Sequence, residues 1–210
     1  MPRPSAATRE QVLADTRQRL LEAAAIEFAR EGYVGANVNR ISQMAGFAKG
    51  TIYNYFSSKR ALMVALIDET ADAHIDFITQ QVELEDDPVR RLERFFSVGF
   101  AFVEDHPSQA RVIINTVYGP DDAFKQHVYQ AYEDLFHLII NGIVEAGVAR
   151  GDFRHVDPDL TVALLMAIYL GGCSQLDSDG KIWLDPDLVA AFVLEGLCQR
   201  DRPSASEGRG

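Results

Sequence analysis

The 210 residues include only two cysteines and one tryptophan, and the longest uninterrupted apolar run is short, from Val162 to Cys173 with two glycines inside it. Cys173 and Cys198 are too few for a disulfide scaffold. They cannot complete a four-ligand zinc site by themselves, so they read as reduced core thiols of a cytoplasmic protein. A membrane helix needs about 20 apolar residues, so a soluble chain without a membrane partner is expected. The opening MPRPSAATREQ lacks an apolar h-region, which argues against a secretory signal. Glycine and proline together number 23, apolar residues make up 47% and charged residues 24%. That composition excludes collagenous and disordered chains. No stretch alternates apolar and polar over a strand length, and no repeat recurs at 20–50 residues. Walker A, GxGxxG after a strand, HExxH and GxSxG motifs are all missing. DSDGKIWLDPD, from Asp177 to Asp187, resembles a calcium loop. With Gly180 at the loop's sixth position, however, Pro186 falls where the bidentate acid belongs. No catalytic centre, metal or cofactor is expected.

What is present is helix and an uneven charge. Residues 1–60 carry nine Lys/Arg against five Asp/Glu, whereas the whole chain has a net charge of −11. A basic head on an acidic body suits a head that meets phosphates while the body stays clear of them. Leu20, Leu21, Ala24 and Phe28 share one arc of a helix ending near Gly32. Short helices are predicted over Val38–Ala45, with Asn37 as N-cap, and over Lys49–Phe56. A longer helix starts near Ser58, capped by Ser57, and runs towards Val82. After the acidic break at Glu83–Pro88 come helices over Val89–Glu104, 108–117 and Asp121–Ala149. Asp157-Pro158 and Asp185-Pro186 then open two more, reaching about Leu176 and Gln199. The fold class is all-α, with about nine helices. Residues 1–7 and 201–210 read as disordered.

The strongest local signal is VNRISQMAGFAKGTIYNYFSSKR, residues 38–60. Two short helices joined by three residues that begin with glycine have helix-turn-helix spacing. At about 100° per residue, Ile52, Tyr55 and Phe56 form an inward arc of the second helix. Gly50, Thr51, Tyr53 and Asn54 form a slim outer face that fits a major groove. Lys49 and Lys59 begin helices, where free N–H groups and an ammonium both favour phosphate. The spacing alone is also compatible with an ordinary three-helix corner with solvated lysines.

The run from Thr16 to Leu66, with LLEAAAIEFAREGY followed by VNRISQMAGFAKGTIYNYFSSKRALM, resembles the DNA-binding head of TetR-type transcriptional regulators; KGTIYNYF with the SSK after it is its most specific part. The resemblance implies that Lys49, Gly50, Thr51, Tyr53 and Asn54 meet the major groove and its phosphates. It also puts Asn39 and Arg40 near the backbone or base edges, and Lys59 on a phosphate. Asn37 departs from the Thr or Ser usual at this cap, a change that still caps. Arg60 stands where Glu is frequent, so the capping box there is lost. The resemblance implies a DNA-binding domain over 8–57 and an effector-binding and dimerisation domain over 58–200. It further implies a dimer through the last two helices, double-stranded DNA with a palindromic operator as partner, and a small-molecule effector that releases a repressor.

The body supports these implications in its own pattern. The helix after Asp157 is apolar nearly all round, and the last helix covers two apolar arcs. Leu164, Ile168, Gly171, Leu188 and Phe192 are therefore the expected dimer contacts. The alternative is a central core helix of a monomer. Aromatic residues crowd the middle of the chain. His74, Phe77, Phe96, Phe100, Tyr118, Tyr132, Phe136 and Tyr169 are the candidate lining of a cavity for a flat or apolar effector. They serve equally well as plain core. Two other readings stay open: a DNA-bound protein whose body recruits another protein, and an all-helical enzyme, against which the basic head argues.

Overall fold

The computed structural model describes residues 6–175, 177 and 181–198. Among them there is no strand, only an isolated bridge between Phe153 and Cys198. The helices are α1 (Ala6–Gly35), α2 (Val38–Met44), α3 (Lys59–Val82), α4 (Pro88–Asp105), α5 (Pro107–Val117), α6 (Asp122–Ala131), α7 (Glu133–His137), α8 (Ala146–Arg150), α9 (Pro158–Cys173) and α10 (Pro186–Leu197). Thr51–Asn54 is a single 3-10 turn, and a π-helical stretch, Leu138–Glu145, joins α7 to α8. Helix α1 begins inside the segment expected to be disordered. Residues 1–5, 199–210 and the end of the helix expected to reach Leu176 lie outside the described residues.

Caps decide most of the boundaries. The carboxylates of Asp87, Asp121, Asp157 and Asp185 each accept an N–H of the helix they precede, and in three cases proline follows at the first turn. Proline there forgoes an N–H that would have no helical partner anyway. Ser58, one residue later than expected, caps α3 by accepting the Ala61 N–H at 3.0 Å. Helix α1 is interrupted at Gly32, whose φ of 68° is in the left-handed region that glycine tolerates. The single helix expected over Asp121–Ala149 is corrected: it breaks at Tyr132 (φ −99°, ψ 11°), then widens over Leu138–Glu145. The break coincides with the docking of the Tyr132 hydroxyl on His74, and in the widened stretch Arg91 takes the Gly142 carbonyl at 2.9 Å.

Helix α1 packs on α2, α3 and α5, which joins the head to the body. Helix α3 belongs to both, since it also packs on α4 and α6. At the centre lies α4, between α3 and α10, with Leu92, Phe95 and Phe96 fully buried. Each such side chain contributes about 1.5–3 kcal/mol on burial. No helix among the described residues is long and apolar enough to cross a membrane.

Candidate DNA interface and effector cavity

Asn37 caps α2 as expected: its Oδ1 accepts the N–H groups of Asn39 and Arg40. Gly46 turns the chain at φ 81°, and Phe47 N–H closes the turn on the Ser42 carbonyl at 2.9 Å. Buried Ser42 then holds the second element by accepting the Ile52 N–H at 3.2 Å. That element is not the predicted helix over Lys49–Phe56. Gly50 at φ 85° starts only the 3-10 turn Thr51–Asn54, and Lys49 stands outside it. Lys49 therefore has no α-helix N-terminus beside it, and the dipole argument for that residue falls away. The faces nevertheless come out as the pattern implied. Ile52 and Phe56 are buried and Tyr55 half-buried, whereas Lys49, Tyr53 and Asn54 are exposed, with Gly50 and Thr51 half-buried beside them.

The head spends much of its positive charge on itself. Arg19 donates to the Ala45 carbonyl at 2.7 Å and lies over the Phe47 ring, pinning the turn between α2 and the 3-10 element. Arg17 lies over Phe56 and pairs with Glu69. Arg60 sits over Phe124 of α6. Two of the expected DNA contacts have work inside the fold as well. Lys59 donates to the carbonyls of Val34 and Ala36 at 3.0 and 2.7 Å and lies over Tyr33, so at most its third N–H is left for a phosphate. Arg40, half-exposed, pairs with Glu27 at 3.5 Å and Glu31 at 3.8 Å. Asn39 is exposed on the same side.

Glu27 is the residue that sequence reasoning missed. It is 1% exposed, yet its carboxylate accepts the Asn37 N–H at 3.1 Å and an Arg30 N–H at 3.0 Å besides pairing with Arg40. The signal was available: an acid two turns into the apolar face that holds Leu20, Ala24 and Phe28. Glu27→Ala strands the Asn37 amide and two guanidinium groups. It should therefore destabilise the fold by about 2–3 kcal/mol in urea unfolding. A change within about 0.5 kcal/mol, the usual range for a surface site, would show that the hub carries nothing.

Inside the body, α3, α4, α5, α6, α7 and α9 line an apolar cavity. Its volume is small, about 50 Å³. His74, Tyr132, Phe136 and Tyr169 line it as expected. The other four candidates do not. Phe96 and Phe100 are buried behind Tyr169, Phe77 lies on the outer side of Phe102, and Tyr118 is 65% exposed on a neighbouring groove. Thr70, Phe102, Ile113, Tyr129, Met166 and Cys173 are among the further residues of the wall.

His74, Tyr132, Tyr169 and Cys173 form one hydrogen-bonded chain in the wall of this cavity. His74 Nδ1 lies 3.3 Å from Tyr132 Oη and Nε2 lies 3.0 Å from Tyr169 Oη, while Tyr169 also hydrogen-bonds Cys173. Burial, then the nearby His106, lowers the His74 pKa to about 3, so the ring is neutral at pH 7. Burial also raises the Tyr132 and Tyr169 hydroxyls and pushes the Cys173 thiol up to about 12. The His74, Phe102 and His106 rings stack in series at 4.4 and 4.3 Å.

On the far side of the body the outward residues of α9 and α10 are bare. Leu164, Leu188 and Phe192 are exposed and Ile168 and Gly171 half-buried; Leu160 and Trp183 extend the patch.

Comparison with known proteins agrees with this architecture. Residues 20–66 match the family model of bacterial regulatory proteins, tetR family. The chain is 26% identical over 152 residues to the HTH-type transcriptional repressor KstR2 of Mycolicibacterium smegmatis, covering 72% of this chain and 73% of that one. It is 28% identical over 157 residues to the repressor NicS of Pseudomonas putida, covering 72% and 71%. In fold it matches the transcriptional regulator FadR of Bacillus subtilis, solved in complex with stearoyl-CoA. The TM-score is 0.73 at 21% identity, over 85% of this chain and 95% of that one. The helix-turn-helix of residues 38–56 lies inside the matched segment, so the head of this chain is similar to that of the tetR family of bacterial regulatory proteins, and the fold of the whole is similar to that of solved regulators of this kind.

Proposed function

We propose that this regulator is a ligand-responsive repressor acting in the cytoplasm. A two-fold dimer binds a palindromic operator through Lys49, Gly50, Thr51, Tyr53 and Asn54, with Asn39 and Arg40 beside them and Lys59 in support. A small, largely apolar effector in the body cavity releases it. The observation that carries the reading is the pair of helices that reach both sites. Helix α3 begins with Lys59 on the last carbonyls of α1 and goes on to supply Thr70 and His74 to the cavity. Helix α6 sets Phe124 against Tyr33 and Arg60 of the head, then supplies Val128 and Tyr129, with Tyr132 just past its end. An effector that spreads the cavity displaces both helices at the head. It acts only if it favours the conformation that does not fit DNA.

The domain division 8–57 and 58–200 is kept in this proposal with one reservation of structure: its cut falls at the start of α3, the helix that the two sites share. Selection of duplexes from a random pool is the direct test. A palindrome with half-sites one or more helical turns apart is the expected product. Enrichment of a single half-site, or none at all, would overturn the dimeric-operator reading.

A further inference from the structure

The chain of His74, Tyr132, Tyr169 and Cys173 gives the cavity one buried polar corner, beside the hydroxyls of Thr70 and Tyr129 elsewhere in its wall. Resting on its being the effector site, we infer that the effector is an uncharged molecule with an apolar body and one hydrogen-bonding group, above all a carbonyl, that accepts from the Tyr132 hydroxyl.

The protons of the corner can be followed one by one. His74 must donate from one ring nitrogen and accept at the other, because the neutral imidazole has one of each. Let the Cys173 thiol donate to Tyr169 Oη, and the Tyr169 hydroxyl donate to His74 Nε2. His74 Nδ1–H then donates to Tyr132 Oη, and the Tyr132 proton is left over. Its natural acceptor is a ligand carbonyl, which completes the chain with every proton used. The other tautomer reverses the chain and leaves Tyr132 as an acceptor, so a hydroxyl ligand is the second fit. The 3.3 Å separation of His74 and Tyr132, longer than the 3.0 Å of its counterpart, marks Tyr132 as the end that can still adjust.

The rest of the wall says what the ligand is not. Among the described lining residues there is no Asp, Glu, Lys or Arg, so a buried carboxylate would have no counter-ion. The groove that shares Val117, Tyr129 and Phe136 with the cavity adds Asp159 as its one charged lining group. An anion there, including the phosphates of a coenzyme A thioester, meets a like charge rather than a cation. The chemistry of this corner therefore separates the chain from the fold relative solved with stearoyl-CoA.

The test is calorimetric titration of the full chain with matched probes. One series is 2-acetylnaphthalene, 2-ethylnaphthalene and 2-naphthoate; the other is decan-2-one, decanoate and decanoyl-coenzyme A. Within a series the ketone should bind about tenfold tighter than the hydrocarbon, and about a hundredfold tighter than the anions. Tyr132→Phe should abolish the advantage of 2-acetylnaphthalene over 2-ethylnaphthalene and leave the affinity for 2-ethylnaphthalene unchanged. Tyr169→Phe, which breaks the chain one step earlier, should reduce the same advantage, and it serves if the first variant fails to fold. Anions that bind as tightly as the ketones, or a Tyr132→Phe change that weakens every probe alike, would overturn this inference and leave the cavity standing. If no probe of either series binds, the effector-site reading falls and this inference with it.

Discussion

Between pH 6.5 and pH 4 the folded chain should lose about 3 kcal/mol of stability through His74 alone. In the unfolded chain this imidazole takes its proton near pH 6.5, whereas in the fold it does so only near pH 3. Between those values the unfolded state binds more protons, so stability falls as the pH falls. Above pH 6.5 both states are neutral and the contribution is complete. Below about pH 3 both are charged and the loss is complete. The cause is burial first, with His106 between α4 and α5 second. The other groups facing the ring are the hydroxyls of Tyr132 and Tyr169, with the Cys173 thiol behind them, and none of these carries charge at acid pH. Urea midpoints of wild type and His74→Gln across this range are the measurement. The difference between the two should shrink by about 1.4 kcal/mol for each pH unit below 6.5. A parallel pair of curves would mean that His74 is solvated or already protonated in the fold.

The same residue illustrates what a linear reading can and cannot see. The sequence offers His74 as a pocket donor, but its partners are 58 and 95 residues away, and no local pattern relates Tyr132 or Tyr169 to it. The cavity depends on six helices converging. Periodicity could tell that Phe96, Phe100 and Tyr132 face inward; it could not tell which inward faces leave a gap between them. Local chemistry was far more legible. Asn37, Asp157 and Asp185 cap as their side chains dictate, and Gly46 takes the positive φ that a tight turn demands. Where local reasoning failed, tertiary demands had won. Gly50 shortens the recognition element to a 3-10 turn, and Tyr132 leaves the helical region. Lys59 and Arg40, the second expected at DNA from the family resemblance, hold the end of α1 and the Glu27 carboxylate as well. A count of basic residues overstates what the head offers to phosphate, because Arg17, Arg19, Arg30 and Arg60 also have partners within the chain.

Phe192→Asp should turn the dimer into monomers and lower affinity for the full operator by about a hundredfold, while leaving the stability of the single chain nearly unchanged. Such a substitution in a core costs several kcal/mol, but here Phe192 is 72% exposed and Leu188, one turn before it, 70%. Neither gains much from its own chain. An uncovered row of Leu160, Leu164, Leu188 and Phe192 on two adjoining helices is costly to leave in water, and a second copy related by a two-fold axis covers each row with the other. Nothing within 4 Å would meet a side chain added at Gly171, so that side of α9 is open to a partner helix. The affinity loss follows from geometry. In the dimer the second head binds as an intramolecular event, and this linkage multiplies affinity by roughly 10² to 10⁴ without a new contact. A monomer loses that factor on the palindrome and keeps its affinity for an isolated half-site. Sedimentation equilibrium gives the first outcome and duplex titration with whole and half sites the second. A Phe192→Asp protein that still sediments as a dimer would move the interface away from α9 and α10. One that is monomeric yet binds the full operator undiminished would mean that each head finds its half-site alone.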